Sequence, residues 1–224
     1  AGEGEFHPAL EHCLRRFGEF FGVDRSYIFR FSPDLSTIDN THEWCAPGIA
    51  PQIERIQNFP LSALPMFRQR ILSQEPFHVP SVAALPEGPE KGEFQAQDIL
   101  SLVCLPLLGQ GRSLVGFVGF DAVRRPYSWS DEEIAMLRVV AQILAGALRR
   151  SRAEKALREA TARFERMAES VPLALYDYVE DADGNSSYRY WSPRCRDIFG
   201  KSPEELVGPE GLKTLRGLIH PEDY

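Results

Sequence analysis

The sequence predicts an α+β protein. An antiparallel sheet is flanked by helices and is followed by a long exit helix and an incomplete second α+β segment. Two pairs of strand-type segments, each joined by a turn, predict the sheet. An amphipathic segment before the first pair and a long uninterrupted helical stretch after the second predict the helices. Residues 1–148 are therefore expected to form a first domain, 149–168 a helical linker, and 169–224 the start of a second domain.

The first domain is expected to begin with a helix and a hairpin. Apolar residues three and four positions apart predict an amphipathic helix over Pro8–Phe21, ending at Gly22. Ser26–Phe31 then alternates with the period of two typical of a strand. Thr37–Ala46 follows after a turn containing Pro33-Asp34, so the two strands are expected to pair.

An irregular insert separates this hairpin from a second one. Over residues 49–98 prolines interrupt the helical spacing, which predicts short helices and loops. Phe77–Val82 is expected to be a short edge strand, because Pro80 has no backbone N–H to donate inside a sheet. Ile99–Leu108 and Leu114–Ala122, joined by a glycine-rich turn, are the strongest strand pair in the sequence.

A long helix is predicted after the second hairpin. Ser130 and Glu133 form a capping box, and only Gly146 interrupts the helical pattern from there to Ser170. These 41 residues would span about 60 Å. Such length on a mostly charged helix is typical of a coiled coil.

The apolar residues of this helix are spaced alternately three and four apart, which predicts a parallel homodimer through the exit helix. One step of five falls at Ser151-Arg152. We expect Leu137 to Leu148 to pack partly on the domain's own sheet and Ala153 to Met167 to pack on the partner helix. The predicted dimerisation residues are Leu137, Ala141, Leu144, Leu148, Leu157, Ala160, Phe164 and Met167.

The last segment is expected to start with a hairpin and continue with short helices. Leu173–Val179 and Ser187–Trp191 flank the turn Ala182-Asp183-Gly184-Asn185. Ser192-Pro193 is expected to begin a helix that ends at Gly200. A second capping box, from Ser202 to Glu205, predicts another helix that ends at Gly208.

Composition and charge exclude several classes of protein. Hydrophobic residues make up 43% of the chain, which is enough for a core and argues against general disorder. The net charge of −7 disfavours nucleic-acid binding, and we interpret the basic residues of 149–168 as a solvated helix face. No apolar run is long enough for membrane insertion. Four cysteines without a Cys-x-x-Cys pair predict reduced thiols in a cytoplasmic protein.

Residues 6–149 resemble the GAF domains of bacterial sensor proteins. The order of helix, hairpin, insert, second hairpin and exit helix carries the resemblance, together with two local runs. These are the residues from Thr41 to Ile49, including Glu43-Trp44-Cys45, and the residues from Trp129 to Glu133. The resemblance implies a sensory or regulatory function.

Residues 169–224 resemble the opening of a PAS domain. The matching runs are Trp191-Ser192-Pro193, Asp197 to Gly200, Ser202 to Leu206, and Leu218 to Asp223. A PAS fold implies three further strands beyond this point, so this part is not expected to work as a sensor by itself. The two resemblances together imply a piece of a longer signalling protein, whose output domain is a diguanylate cyclase or a histidine kinase.

A small-molecule cavity is expected between the sheet and the insert. Four aromatic residues are its candidate lining, although each is also a plausible core residue. The insert, residues 47–98, would act as a lid over a ligand beside Trp44. The complete set of candidate ligand-binding residues adds two cysteines and is Trp44, Cys45, Phe67, Phe94, Cys104 and Phe117.

The alternative function is a small redox enzyme. GAF relatives that reduce methionine sulfoxide need cysteines close together, and here Cys45 and Cys104 would have to meet. Packing of both as small core residues is the simpler interpretation. The exit helix favours a regulatory module, because a self-contained enzyme needs no rigid connection to another domain.

Other chemistry known from GAF relatives lacks its residues here. No cysteine is followed by the histidine common in bilin attachment, and Arg124-Arg125 replaces the Asn-Lys pair of cyclic-nucleotide binders. His42 and Cys45 are expected on opposite faces of a strand, and the other histidines have no partner at ligand spacing. We therefore predict no metal site and no catalytic residue, and the identity of any cofactor stays open.

Overall fold

The computed structural model describes residues 3–181 and 184–218. The chain divides into two compact units, residues 1–153 and 154–224. Each unit has a hydrophobic core of its own. The predicted α+β class is confirmed. Among the described residues, no helix combines the length and the hydropathy of a membrane span.

The first unit contains a six-stranded antiparallel sheet with the order β3-β2-β1-β6-β5-β4. Both predicted hairpins are confirmed, as β1 with β2 and β5 with β6. The predicted edge strand is also confirmed, although β3 was not predicted. The strands are β1 (Arg25–Phe31), β2 (Thr37–Cys45), β3 (Phe59–Pro60), β4 (Phe77–Val79), β5 (Ser101–Leu108) and β6 (Leu114–Ala122).

Four helices accompany this sheet: α1 (Glu3–Phe21), α2 (Pro65–Leu72), α3 (Pro89–Gln95) and α4 (Asp131–Ser170). Gly22 has a φ of 64°, the left-handed conformation that ends many helices. The predicted capping box of α4 is present. The Ser130 backbone N–H donates to Glu133 Oε2 at 2.7 Å, and the Glu133 N–H donates to Ser130 Oγ at 3.2 Å.

The sheet carries a core on each face. On one face it packs against α1 and the first half of α4, with Leu14, Val103 and Phe120 at the centre of the cluster. The other face is covered by the insert, and aromatic residues such as Phe67 and Phe117 dominate this second cluster. Both faces of the central strands are therefore buried, which explains their nearly continuous apolar character.

A β-bulge in β2 controls which side chains face the insert. Asn40 pairs with Phe29 and His42 pairs with Ile28, so Thr41 is an extra residue on β2. One extra residue reverses the alternation of side chains beyond it. Before the bulge, the side chains of Ile38 and Asn40 consequently face the insert. After the bulge, Glu43 faces the insert and Trp44 faces the helices.

The helix α4 presents two different apolar faces. Leu137, Ala141 and Leu144 are buried in the core between the helix and its own sheet, and Leu148 packs partly against the same core. The expectation that this stretch packs on the domain's own sheet is confirmed. Leu137, Ala141 and Leu144 are therefore not available to a partner helix, which removes them from the predicted dimer seam, whereas Leu148 is half-buried. The step of five residues at Ser151-Arg152 marks a change from one face to the other.

The second unit contains a two-stranded antiparallel hairpin and three short helices. The predicted hairpin and both predicted helices are present, and the Ser202–Glu205 capping box is confirmed. The third helix was not predicted. The turn residues Ala182-Asp183 and the motif residues beyond Leu218 lie outside the described residues. The elements are β7 (Tyr176–Glu180), β8 (Ser186–Trp191), α5 (Cys195–Phe199), α6 (Pro203–Leu206) and α7 (Pro209–Arg216).

Candidate functional site

A cavity of about 50 Å³ lies between the sheet and the insert. By volume it has room for about four water molecules. Its apolar wall includes a cluster of aromatic rings: Phe29 and Phe117 are stacked with centroids 4.8 Å apart, and Phe67 meets Phe117 edge to face at 4.9 Å. Its polar side chains are Arg25, Tyr27, Asn40, Glu43, Gln52, Glu93, Gln97 and Asp121. Apolar walls with a few polar groups are typical of small-molecule sites.

Several of these polar residues are linked by hydrogen bonds and one ion pair. Tyr27 Oη donates to Asp121 Oδ1 at 2.7 Å and lies 3.6 Å from Cys104 Sγ. Arg25 Nη1 lies 3.8 Å from Asp121 Oδ2, and Arg25 Nη2 donates to the carbonyl oxygen of Gln97 in the insert. These contacts therefore connect strands β1, β5 and β6 to the insert.

Glycine in β6 makes room for these contacts. A Cβ atom at Gly119 would lie 2.1 Å from Cε2 of the Tyr27 ring. The ring therefore lies directly over the backbone of the neighbouring strand, where its hydroxyl group reaches Asp121. A side chain at position 119 would displace the ring and separate the hydroxyl from the carboxyl group.

Burial controls the protonation of these groups. It raises the pKa of the Asp121 carboxyl group to about 7, although Arg25 and the hydrogen bond from Tyr27 act in the opposite direction. Burial also raises the pKa of Tyr27 and that of the Cys104 thiol. Cys104 is therefore a protonated, unreactive thiol at neutral pH.

Carboxylate groups bind the insert to the sheet and also link two parts of the insert to each other. Glu43 Oε2 on β2 accepts the backbone N–H groups of Gln52 at 2.7 Å and Ile53 at 3.0 Å. Arg55 and Glu93 form a hydrogen-bonded ion pair at 3.0 Å. These contacts hold the lid over the cavity.

Two buried polar side chains in the cavity wall have atoms without partners. Within residues 3–181 and 184–218, Asn40 Nδ2, Asn40 Oδ1 and Arg25 Nε have no hydrogen-bond partner. Both residues are 2% exposed. Most buried polar groups in proteins are hydrogen bonded, so these atoms make the polar part of the cavity the candidate site.

The structure brings together four of the six predicted ligand-site residues. Phe67, Phe94, Cys104 and Phe117 line the cavity. Trp44 does not, because the β2 bulge turns it to the other face of the sheet. There it packs so closely on α1 that a Cβ atom at Gly18 would lie 2.1 Å from Cζ3 of its ring. Trp44 therefore does not line this cavity, and the expected ligand position beside it remains a prediction without support from the cavity lining.

Cys45 lies outside the cavity lining. It is on β2 and Cys104 is on β5, with β1 and β6 between them. At roughly 4.8 Å per strand the two backbones are about 14 Å apart, well beyond the reach of a disulfide. Burial also raises the pKa of Cys45 to about 11. The redox alternative thus lacks both the pairing of the thiols and a reactive thiolate.

Two histidines are in contact, one on α1 and one on β2. His7 Nδ1 and His42 Nε2 are hydrogen bonded at 2.7 Å, a contact that sequence spacing did not indicate. Burial lowers the pKa of His42 to about 4. The residues that the structure describes contain no group of three or more metal-ligating side chains.

Sequence reasoning missed the polar residues of the site. Arg25, Asn40 and Asp121 were not among the candidates. A signal was present for Asp121, because Phe117, Gly119 and Asp121 alternate along β6 and so share the face toward the cavity. A carboxyl group on the buried face of an apolar strand indicates a functional residue.

Comparison with known proteins gives one family match. The profile of the GAF domain matches residues 5–148. The methanogenesis regulatory histidine kinase FilI of Methanothrix harundinacea (strain 6Ac) is 33% identical over 147 residues, which is 62% of this chain and 16% of FilI. The chain therefore spans only a small part of that relative's length.

Solved structures show the same fold at lower identity. The GAF3 domain of Slr1393 from Synechocystis sp. PCC6803, in its photoproduct state, is 23% identical with a TM-score of 0.57, covering 68% of this chain and 98% of that domain. The phycocyanobilin-bound GAF domain from a cyanobacterial phytochrome is 18% identical with a TM-score of 0.57, covering 66% of this chain and 87% of that one.

Proposed function

The chain belongs to the GAF domain family, and on that premise we propose that it is a non-catalytic sensory input region. Binding of a small molecule in the first domain would control an output domain elsewhere in a longer signalling protein. The cavity is the main support for this proposal. It combines aromatic side chains with buried, unpartnered polar atoms, and the insert covers it. Most buried polar atoms in a packed core have hydrogen-bond partners, so unpartnered atoms grouped in one cavity support a binding role.

The nature of the output is also part of the proposal. A histidine kinase is favoured over a diguanylate cyclase, because FilI is a histidine kinase. Residues 169–224 would be the opening of a PAS-type domain, and their hairpin followed by three short helices is compatible with this. The four free cysteines fit a reducing compartment, so we place the protein in the cytoplasm.

The ligand is proposed to be small and non-covalent. One of the similar solved GAF domains is bound to phycocyanobilin, but the cavity here, at about 50 Å³, is far below the roughly 300–1,000 Å³ of a drug-sized pocket. Cys104 is the cysteine among the cavity residues, and its raised pKa disfavours attack on a chromophore.

Dimerisation would transmit the signal. The exposed apolar residues of α4 lie on a line of positions whose steps alternate between three and four from Met136 to Met167, with Gly146 and Arg150 as the two positions that carry no apolar side chain. We call these residues the outer seam. Its large members are about half exposed or more, which favours burial against a second copy of the chain. The outer seam consists of Met136, Val139, Ile143, Gly146, Arg150, Ala153, Leu157, Ala160, Phe164 and Met167.

Native mass spectrometry of the protein purified from its own host tests the ligand-binding role. We expect an added mass that is retained by the intact protein and released on unfolding. Leu64→Phe places a larger side chain in the buried wall of the cavity. It should reduce the fraction of the protein that carries the added mass at least tenfold. Met66→Phe, on the exposed side of α2, is the matched control and should retain it. Absence of added mass in both wild type and control would contradict the proposal.

A further inference from the structure

Asn40 is held rigidly while its side-chain amide stays free. Its backbone N–H donates to the carbonyl oxygen of Ile56 at 2.9 Å, and its carbonyl oxygen accepts from Gln57 Nε2 at 2.8 Å. The side chain lines the cavity and is 2% exposed, yet neither Nδ2 nor Oδ1 has a partner in the described chain. The insert therefore fixes the position of a buried amide that points into the cavity.

Such an amide opposes folding unless something in the cavity pairs with it. Leucine has a similar size and would fill the same place without a polar group to satisfy. Neither packing nor the hydrogen bonds of the backbone explain an asparagine here, because those bonds do not involve its side chain. Its chemistry therefore points to what the cavity binds.

A primary amide offers a donor and an acceptor side by side. The complementary partner presents an acceptor and a donor on one edge, as carboxamides and lactams do. Arg25 Nε adds a further donor in the same cavity. Arg25 Nη1 lies 3.8 Å from Asp121 Oδ2, and Glu43 and Glu93 are further carboxyl groups in the lining, so carboxyl groups outnumber the one guanidinium group and the site does not favour an anion.

We propose that the cavity binds an uncharged, planar molecule with a cis-amide edge, which Asn40 recognises with both atoms of its amide. The flat surface of the stacked Phe29 and Phe117 rings would contact the plane of the ligand. This inference rests on the proposed role of the cavity as the ligand site. The small volume limits the ligand to a few heavy atoms or requires a slight outward movement of the insert.

Titration with four small probes, followed by NMR of the 224-residue chain, tests the proposal. 2-Pyridone has the cis-amide edge, N-methyl-2-pyridone lacks its donor, toluene has no polar group, and benzoate is an anion. We expect 2-pyridone to bind the wild type at least tenfold more tightly than each of the other three. Its binding should shift the side-chain NH₂ resonance of Asn40.

The Asn40→Leu variant makes the test specific. It should fold with a thermal midpoint at or above that of the wild type, lose the preference for 2-pyridone, and bind toluene more tightly than the wild type does. Gln69→Leu, the same kind of change on the exposed side of α2, should keep the wild-type preference.

Four outcomes would overturn the assignment. Equal binding of 2-pyridone and N-methyl-2-pyridone would exclude recognition of an amide edge. A lower thermal midpoint of Asn40→Leu with no change in probe preference would make Asn40 a structural residue paired with ordered water. Tightest binding of benzoate, or no probe binding in a protein that retains a host-derived mass, would refute the ligand class while leaving the cavity as a ligand site.

Discussion

Asp121 shows how one residue combines structural and chemical constraints. It lies at the end of β6, where Gly119 lets the Tyr27 ring approach and the Tyr27 hydroxyl group donate to its carboxyl group. Burial raises its pKa to about 7, while Arg25 limits the rise. A buried group with a pKa near the working pH is a common feature of functional sites. The site is therefore sensitive to protonation in the physiological range.

Replacing Asp121 with asparagine should remove a pH dependence of stability. In the folded chain the carboxyl group keeps its proton up to about pH 7, whereas in the unfolded chain it loses it near 3.8. Between these values the folded state binds more protons, so this group's contribution is complete below about pH 4 and is lost as the pH rises toward 7. The difference between the free energies of unfolding of the wild type and of Asp121→Asn should fall by about a few kcal/mol as the pH rises from about 4 to 7.

Urea unfolding at several pH values measures this difference. His42 has an opposite effect, because its lowered pKa of about 4 stabilises the folded state as the pH rises from 4 to 6.5. It is present in both proteins, so its contribution cancels in the difference. Parallel stability curves for the two proteins would show that Asp121 is already ionised at pH 4 in the folded chain.

At the scale of elements, periodicity predicted what depends on local pattern. The hairpins, the edge strand and both capping boxes follow from alternation and from helix-start residues. The bulge at Thr41 does not, because the sequence alternates on both sides of it and nothing local marks the extra residue. Because of this single extra residue, Trp44 faces the helices and not the insert. Phe67 and Phe117 were found because apolar residues facing the insert are both core and cavity wall.

The two faces of α4 were confused for a related reason. Leu137 and Ile143 both belong to apolar stripes with steps of three and four, and the sequence does not say which stripe faces the sheet. The polar residues of the site were missed because a buried Arg25 or Asn40 is specified by tertiary contacts across the sheet. Arg25 donates to Gln97, 72 residues further along the chain, and Asn40 is covered by the insert, where its backbone N–H donates to Ile56.

The packing of α1 on β2 gives a prediction at this scale. Gly18→Ala should lower the free energy of unfolding by about 1–3 kcal/mol, because the new methyl group overlaps the Trp44 ring. This loss should exceed the gain of up to about 1 kcal/mol in helix propensity. Gly92→Ala in α3 is the matched control and should stabilise slightly, since nothing lies within 4 Å of its Cβ position. Urea denaturation that finds Gly18→Ala as stable as wild type would contradict the close packing.

For the whole molecule, the two apolar faces of α4 separate folding from association. The inner face, which includes Leu137 and Leu144, completes the core of the first domain. The outer seam contributes little to that core and remains exposed in a single chain. Changes on the two faces should therefore have different consequences, although the residues are neighbours in sequence. A dimer along the outer seam would bring two sensory domains under one continuous helical connection.

Glutamate substitutions on α4 test this arrangement. Sedimentation of the wild type at micromolar concentration should give twice the 25.3 kDa chain mass. Ile143→Glu and Leu157→Glu should each give monomers that keep the wild-type unfolding midpoint of the first domain, because both side chains are more than 60% exposed. Leu137→Glu should instead unfold that domain, since it places a charge in the core.

Gln142→Glu and Ala156→Glu are the matched controls for these substitutions. Both residues are exposed and lie beside the outer seam without belonging to it, so both variants should stay dimeric. A monomeric wild type would refute the dimer. A dimer that survives Ile143→Glu but not Leu157→Glu would confine the contact to the second half of the helix. In that case, signalling could not depend on helix pairing beside the first domain. A change in the cavity would have to reach the proposed output domain through the single helix.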